Sequence, residues 1–291
     1  MSGLRERLAR TPILVAPGVY DGLTATLAAA AGFEALYLSG AAVAYTRLGR
    51  PDIGLTTMSE MADTMTLIRD RVDLPVIIDA DTGFGNALNA RRTMRIYERA
   101  GASALQVEDQ TYPKRCGHLS DKALIPAGEM AGKIAAMADA RADADTLIIA
   151  RTDAIAVEGF AAALERGGRY LEAGADVLFI EAPRSEAELA GVCEAFSGRA
   201  PLMANMVEGG ATPIRTAADL QALGFSLVIF PGGIVRALAR TAEDYYRSLR
   251  ETGSNAAFAP RMFDFAGLNA RIGTAQMLEL GARYAGPSED G

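Results

Sequence analysis

Eight short apolar, β-branched runs recur along the chain, each followed by a longer segment of helical periodicity: Ile13–Ala16, Ala35–Leu38, Val76–Ile78, Ala104–Val107, Leu147–Ala150, Val177–Ile180, Leu202–Ala204 and Leu227–Phe230. Four of them are introduced by an alanine-rich stretch ending in Ala31-Gly32, Ala100-Gly101, Ala173-Gly174 or Leu223-Gly224. Glycine just past a helix takes the left-handed conformation that closes it and turns the chain into the next strand. Near-continuous apolar strands alternating with helices predict a parallel sheet covered by helices, because only a sheet buried on both faces tolerates such runs. Eight units in a chain of this length predict an α/β fold of the (β/α)₈ TIM-barrel type. A doubly wound open sheet is the alternative, but no Gly-x-Gly-x-x-Gly follows the first run. No linker divides residues 1–253, read as one catalytic barrel. Residues 254–291 read as a C-terminal helical extension whose Met, Phe and Leu side chains need a surface to cover.

Composition narrows the chemistry. The net charge is −7 with no Lys/Arg block, which argues against nucleic acid or an anionic membrane as partner. No apolar run reaches the roughly 20 residues that span a bilayer, and Met1–Pro12 lacks a secretory apolar core. Two cysteines cannot build a disulfide framework, so a cytoplasmic setting is expected. With one histidine in 291 residues, any metal must be held mainly by oxygen, which favours Mg²⁺, with Mn²⁺ as a substitute.

Barrel active sites lie at the C-terminal ends of the strands, so the residues just past each run are the informative ones. They are Tyr37 and Ser39, Asp79 and Asp81, Glu108 and Asp109, Arg151 and Asp153, Glu181, Asn205, and Pro231. Turn propensity explains some of these Asp and Asn residues but not a ring of carboxylates at one mouth. Asp79 and Asp81 flank a single residue, so on an extended strand end they point the same way. Two carboxylates on one face repel unless a cation joins them, and Glu108 can add a third oxygen, which makes a Mg²⁺ site. Arg151 is fork-shaped and always charged, and suits a substrate carboxylate. A buried Asp–Arg network is the structural alternative.

The segment Lys114-Arg115-Cys116-Gly117-His118 follows Glu108-Asp109 closely. Charged neighbours on both sides place Cys116 on a polar loop, not in a core. Its thiol has two available roles there: nucleophile if its pKa is depressed, proton donor if it stays near about 8.5.

These pieces together resemble the isocitrate lyase / phosphoenolpyruvate mutase superfamily over nearly the whole chain. The matching segments are Tyr37-Leu38-Ser39-Gly40, Leu48-Gly49-Arg50-Pro51-Asp52, Asp79-Ala80-Asp81-Thr82-Gly83-Phe84-Gly85, Glu108-Asp109-Gln110, Lys114 to His118, Ala150-Arg151-Thr152-Asp153, and Asn205 with Gly210-Ala211-Thr212-Pro213. The intact Lys-Arg-Cys-Gly-His segment resembles the lyase branch, in particular lyases of 2-methylisocitrate and 2,3-dimethylmalate. The resemblance implies a Mg²⁺-dependent carbon–carbon lyase that cleaves a 2-hydroxy di- or tricarboxylate to pyruvate or another 2-oxo acid and a carboxylate. It also implies a homotetramer that exchanges C-terminal helices between subunits.

Residue roles follow from the same resemblance. Asp79 and Asp81 would hold Mg²⁺, with Glu108 acting through water. Ser39, Gly40, Ala41, Asp52, Gly117, Arg151, Glu181, Asn205 and Arg236 would contact substrate. Cys116 would be the general acid, Lys114 and His118 would order its loop, and Tyr37 is the expected base. Two departures stand out: Ser39-Gly40-Ala41 replaces the usual Ser-Gly-Gly, and Phe265 stands where methylisocitrate lyases carry a second C-terminal arginine after Arg236, with Arg261 close by. An alkyl group in place of a carboxylate fits a phenylalanine, which tilts the expected substrate towards an alkylated malate. Oxaloacetate hydrolase is the alternative activity. Phosphonate mutase or hydrolase chemistry and a non-catalytic metabolite-binding barrel rank below it.

Overall fold

The computed structural model describes residues 3–115, 117 and 121–285. Eight parallel strands form: β1 (Leu14–Val19), β2 (Leu36–Leu38), β3 (Val76–Asp79), β4 (Ala104–Glu108), β5 (Leu147–Thr152), β6 (Val177–Ile180), β7 (Met203–Asn205) and β8 (Leu227–Phe230). Their order is β6-β5-β4-β3-β2-β1-β8-β7, and a parallel bridge between Leu178 and Leu202 brings the two edges together. The sheet is therefore a nearly closed α/β barrel, as the eight runs predict. β1 extends past the expected end at Ala16 because Pro17 and Gly18 still hold register, opposite Phe230 and Tyr37. Proline costs the ladder one donor without ending the strand.

Two layers of packing hold the barrel. Leu14, Ile77, Ile149, Phe179, Met203 and Ile229 fill its interior, and Leu4 and Leu8 of the first helix (Leu4–Leu8) join that cluster at its floor. The opposite face of each strand packs on the surrounding helices, where Met61, Met65, Met94, Tyr97, Ile134, Tyr170 and Phe196 are buried. Gly32, Gly101, Gly174 and Gly224 all have positive φ, between 90° and 117°, as their place after a helix requires.

The chain divides into two compact units, Met1–Val235 and Arg236–Gly291. The first holds the barrel. In the second, Tyr245 packs edge-on to Phe258 at 5.4 Å, and Arg261 stacks on Phe258 at 4.4 Å. Among the described residues, no helix is long and apolar enough to cross a membrane.

Candidate active site

The strand ends build two halves of one mouth. In the first half, Asp79 ends β3 and Asp81 follows two residues later, both buried. Alternation along an extended strand does not bring them together, because Asp81 has φ 44° and lies in a left-handed turn. The turn folds the backbone back, so that the Asp81 amide donates to Asp79 Oδ1 at 3.1 Å. Aspartate tolerates this conformation better than most residues, and such strain concentrates at functional sites. Lys114 Nζ donates to Asp52 Oδ1 and pairs with Asp81 Oδ1 at 2.9 Å. Gly40 opens the short helix Gly40–Val43, where a Cβ would come within 3.1 Å of Asp79 Oδ2. Ser39 caps that helix by accepting the Ala42 amide at 3.2 Å, and Ala41 lies within its first turn.

Arg151, on β5, organises the second half. Its Nε and Nη2 donate to Asp153 at 2.9 and 3.0 Å, its Nη1 meets Glu108 Oε2 at 3.1 Å, and its Nη2 lies 4.0 Å from Glu181 Oε1. The guanidinium also stands over the Phe179 ring, 5.3 Å from its centroid. The Asp–Arg network anticipated as an alternative is thus present, and it is the same arrangement that presents Arg151 at the mouth. Asn205 Nδ2 donates to both oxygens of Glu181 at 3.3 Å. Ala182 follows at φ 59°, another left-handed residue beside a strand-end carboxylate. Gly117 is so close to Arg151 and Glu181 that a Cβ on it would collide with both side chains.

Electrostatics separates the carboxylates. Burial pushes the Asp81 carboxyl up to about 6, with Asp79 and Asp52 adding to the rise and Lys114 opposing it. Burial also raises Glu108 well above the usual carboxylate range, although Arg151 opposes it. Asp153 is held below that range: burial works against this, and Arg151 and Lys122 outweigh it.

Sequence reasoning missed the layer beneath the site. The Tyr37 hydroxyl donates to Gln106 Oε1 at 2.7 Å, and Gln106 Nε2 reaches Asp79 Oδ1 at 3.4 Å. Burial and the nearby Asp79 push the Tyr37 hydroxyl well above its ordinary pKa of 10.0. Tyr37, the expected base, thus rests in this structure as a hydrogen-bond donor to Gln106. Gln106 had one signal in the sequence: it interrupts an apolar run two residues before Glu108, on the same face.

Asp109 turns away from the mouth. Its carboxylate accepts from Thr152 Oγ1 (2.6 Å), Tyr170 Oη (2.7 Å) and the Asp153 amide (3.0 Å), and pairs with Arg166 Nη1 (3.2 Å). Arg166 and Tyr170 lie one turn apart on the helix Phe160–Glu172, and Arg166 also donates to the Ile125 carbonyl. This hub ties β4 and β5 to that helix and to the chain that follows the Cys116 segment. Cys116 and His118 lie outside the described residues. Arg236 is the first residue of the second unit, within the helix Gly233–Thr252. In that unit Arg261 pairs with Asp244 at 3.5 Å, and Phe265 is 87% exposed.

A divalent ion was expected on Asp79, Asp81 and Glu108. Among the described residues, no three His, Cys, Asp or Glu side chains gather closely enough to hold one by themselves. Asp79 and Asp81 share an edge, while Glu108 is drawn to Arg151. The donor set still fits a small dication. Glu108 Oε1 is buried with no hydrogen-bond partner. A buried carboxylate oxygen left in this state is costly unless a cation takes it.

Residues 4–250 match the family model described as phosphoenolpyruvate phosphomutase. The chain belongs to the phosphoenolpyruvate phosphomutase family. It is similar to 2-methylisocitrate lyase of Aeropyrum pernix, at 50% identity over 253 residues, 86% of this chain and 80% of the relative. It is also similar to 2,3-dimethylmalate lyase of Eubacterium barkeri, at 41% identity over 282 residues, 97% of each chain. A crystal structure of 2,3-dimethylmalate lyase, described as a PEP mutase/isocitrate lyase superfamily member, matches with a TM-score of 0.92 and 35% identity, covering 99% of this chain and 96% of that one. A phosphonopyruvate hydrolase in complex with oxalate and Mg⁺⁺ matches with a TM-score of 0.87 and 33% identity, covering 97% of each. One solved neighbour of this chain thus holds Mg⁺⁺ together with oxalate.

Proposed function

We propose that the protein is a Mg²⁺-dependent carbon–carbon lyase that cleaves a 2-hydroxy di- or tricarboxylate of the 2,3-dimethylmalate or 2-methylisocitrate type to a 2-oxo acid and a carboxylate. The observation that carries this reading is the similarity to 2,3-dimethylmalate lyase over 97% of both chains.

Asp79 and Asp81, with Glu108 through water, would hold Mg²⁺ (or Mn²⁺), whose contribution is to lower the pKa of the substrate's 2-hydroxyl, and Tyr37 is the base that would accept its proton. Arg151 binds a substrate carboxylate, with Asn205 and Glu181 fixing the far side, and Ser39 and Gly40 line the metal-side edge. Tyr37 and Gln106 hold Asp79 from below. Once the C2–C3 bond breaks, the departing enolate carbon needs a proton at a defined face, and Cys116 delivers it from a thiol that is largely protonated near neutral pH. Lys114 and His118 position that segment, and Asp52 anchors it through Lys114. Water must be kept from the enolate, and the close seating of Gly117 on Arg151 and Glu181 serves that exclusion.

Residues 1–253 act as the catalytic barrel and residues 254–291 as an extension that docks on a second copy in a cytoplasmic homotetramer. Phe263, Phe265, Leu268, Met277, Leu278 and Tyr284 are all exposed in the second unit, which supports a partner surface. Removing residues after Gly253 should lower the mass found by analytical ultracentrifugation.

The deciding experiment is a Mg²⁺-supplemented panel of 2,3-dimethylmalate, 2-methylisocitrate, isocitrate, oxaloacetate and phosphonopyruvate, assayed for pyruvate, glyoxylate and oxalate. Pyruvate from either of the first two supports the reading. Oxalate from oxaloacetate, with no pyruvate from the lyase substrates, replaces it with a hydrolase.

A further inference from the structure

Lys122 departs from what a lysine in a polar segment ordinarily does. Such side chains stay in water, yet that of Lys122 is 2% exposed, and its Nζ donates to Asp153 Oδ1 at 2.8 Å and to the Gly117 carbonyl. Asp153 is fully buried and its carboxylate also receives both the Nε and Nη2 hydrogen bonds of Arg151. Gly117 in turn rests against Arg151 and Glu181. Gly117, Lys122, Asp153 and Arg151 therefore close a circuit around the group that faces the substrate.

Charge makes Lys122 more than a brace. Three buried carboxylates, Asp153, Glu108 and Glu181, surround the single guanidinium of Arg151. An anionic substrate brings further negative charge into that place, and in a low-dielectric setting each uncompensated charge weighs heavily. Lys122 is the second cation on Asp153. Without it, Arg151 alone must satisfy Asp153, and less of its positive field is left for an incoming carboxylate.

We propose that Lys122 is a positioning residue for the reaction, holding Asp153 and the Gly117 carbonyl so that Arg151 stays available to the substrate carboxylate. This rests on the reading of Arg151 as the carboxylate-binding group of the proposed lyase. Lys122 touches no reacting atom. Its effect reaches the substrate through Asp153 and Arg151, and it reaches the Cys116 segment through Gly117.

The test compares wild type with Lys122→Met and Lys122→Arg, using the substrate found by the panel and, independently, calorimetric titration of oxalate in the presence of Mg²⁺. Lys122→Met removes the charge at similar length. It should raise KM and weaken oxalate binding by about tenfold or more, while kcat falls by up to about 10²-fold as the segment shifts. Lys122→Arg keeps the charge and should recover most of the oxalate affinity and KM. A purely structural role would lower the thermal midpoint and the active fraction but leave KM and oxalate affinity unchanged, and that result overturns the proposal. If Lys122→Met does not fold, Lys122→Gln takes the same measurements, since it removes the charge while keeping a donor. If wild type turns over none of the panel acids, the lyase reading fails, and the oxalate titration still decides the part played by Lys122.

Discussion

The Tyr37 hydroxyl and the Gln106 side-chain amide meet at 2.7 Å in the barrel interior, reaching across from β2 to β4 with β3 between them. Both residues are buried, and each satisfies a polar atom of the other. Gln106→Leu should destabilise the fold by about 1–3 kcal/mol, because it strands the phenol hydroxyl. The double variant Tyr37→Phe, Gln106→Leu should lose less than the sum of the single losses, since no orphan remains. Urea unfolding of the four proteins checks this, and strict additivity would show that the bond contributes nothing.

Asp109 carries a heavier structural load than its neighbour Glu108. Replacing it with alanine strands Arg166 and the hydroxyls of Thr152 and Tyr170 together. Breaking a buried pair of this kind costs about 3–5 kcal/mol. Arg166 keeps its bond to the half-exposed Glu158, which places the expected loss near the lower end. A loss below about 1 kcal/mol in chemical denaturation would contradict the hub described for it.

Gly117 is expected to be intolerant of any side chain for reasons of space. Gly117→Ala should cut kcat/KM by about 10²-fold or more through displacement of the Cys116 segment. The thermal midpoint should move little, because the collision is with side chains at the mouth and not with the core. Wild-type turnover in this variant would mean that Gly117 does not sit against Arg151 during the reaction.

Cys116→Ser should lower turnover by about 10²–10⁴-fold, the span usual for a lost general acid, because a serine hydroxyl gives up its proton to carbon poorly. Substrate affinity should persist, since the carboxylate contacts proposed for Arg151 and Asn205 do not involve the thiol. Pre-steady-state binding measured beside steady-state rates separates the two effects.

The Cys116→Ser background also isolates Cys193, which is buried on the helix Glu186–Phe196. Burial pushes this thiol up from 9.0 to about 11. The folded state therefore holds the proton more tightly than the unfolded one. The stability this gives is complete below pH 9 and is lost as pH rises through about 11. Alkylation by iodoacetamide should accelerate only above pH 10 in the folded protein, and a profile with its midpoint near 8.5 would show an open thiol.

The barrel was legible in the sequence because its strands announce themselves locally. Val177–Ile180 and Leu227–Phe230 form with the limits their apolar runs predict, and the others shift by a few residues at one or both ends. The strand-end residues followed once the fold was in place. Arg151, Glu108, Glu181 and Asn205 do converge, as do Asp79, Asp81 and Lys114. The route by which Asp79 and Asp81 meet was not legible, since nothing in Asp-Ala-Asp-Thr-Gly says that the second aspartate turns left-handed instead of continuing the strand.

Supporting residues were harder to read for one physical reason: their partners are far away in the chain. Lys122 meets Asp153 across 31 positions, and Tyr170 meets Asp109 across 61. A lysine in Ser-Asp-Lys-Ala has the local look of a solvated side chain, and only the folded barrel shows that it is buried. Strand periodicity did carry the hint for Gln106, because a glutamine facing inward at the level below Glu108 has no water to bond.

Leu4 and Leu8 close the floor of the barrel, at the far end from the strand-end residues of the mouth. Protein engineering can treat the two ends as separate workspaces. Changes that tighten the floor, such as filling space around Leu4, offer a reserve of stability that leaves the mouth chemically untouched. That reserve can then be drawn on when residues at the mouth are varied to admit other acids, where most substitutions cost the fold something.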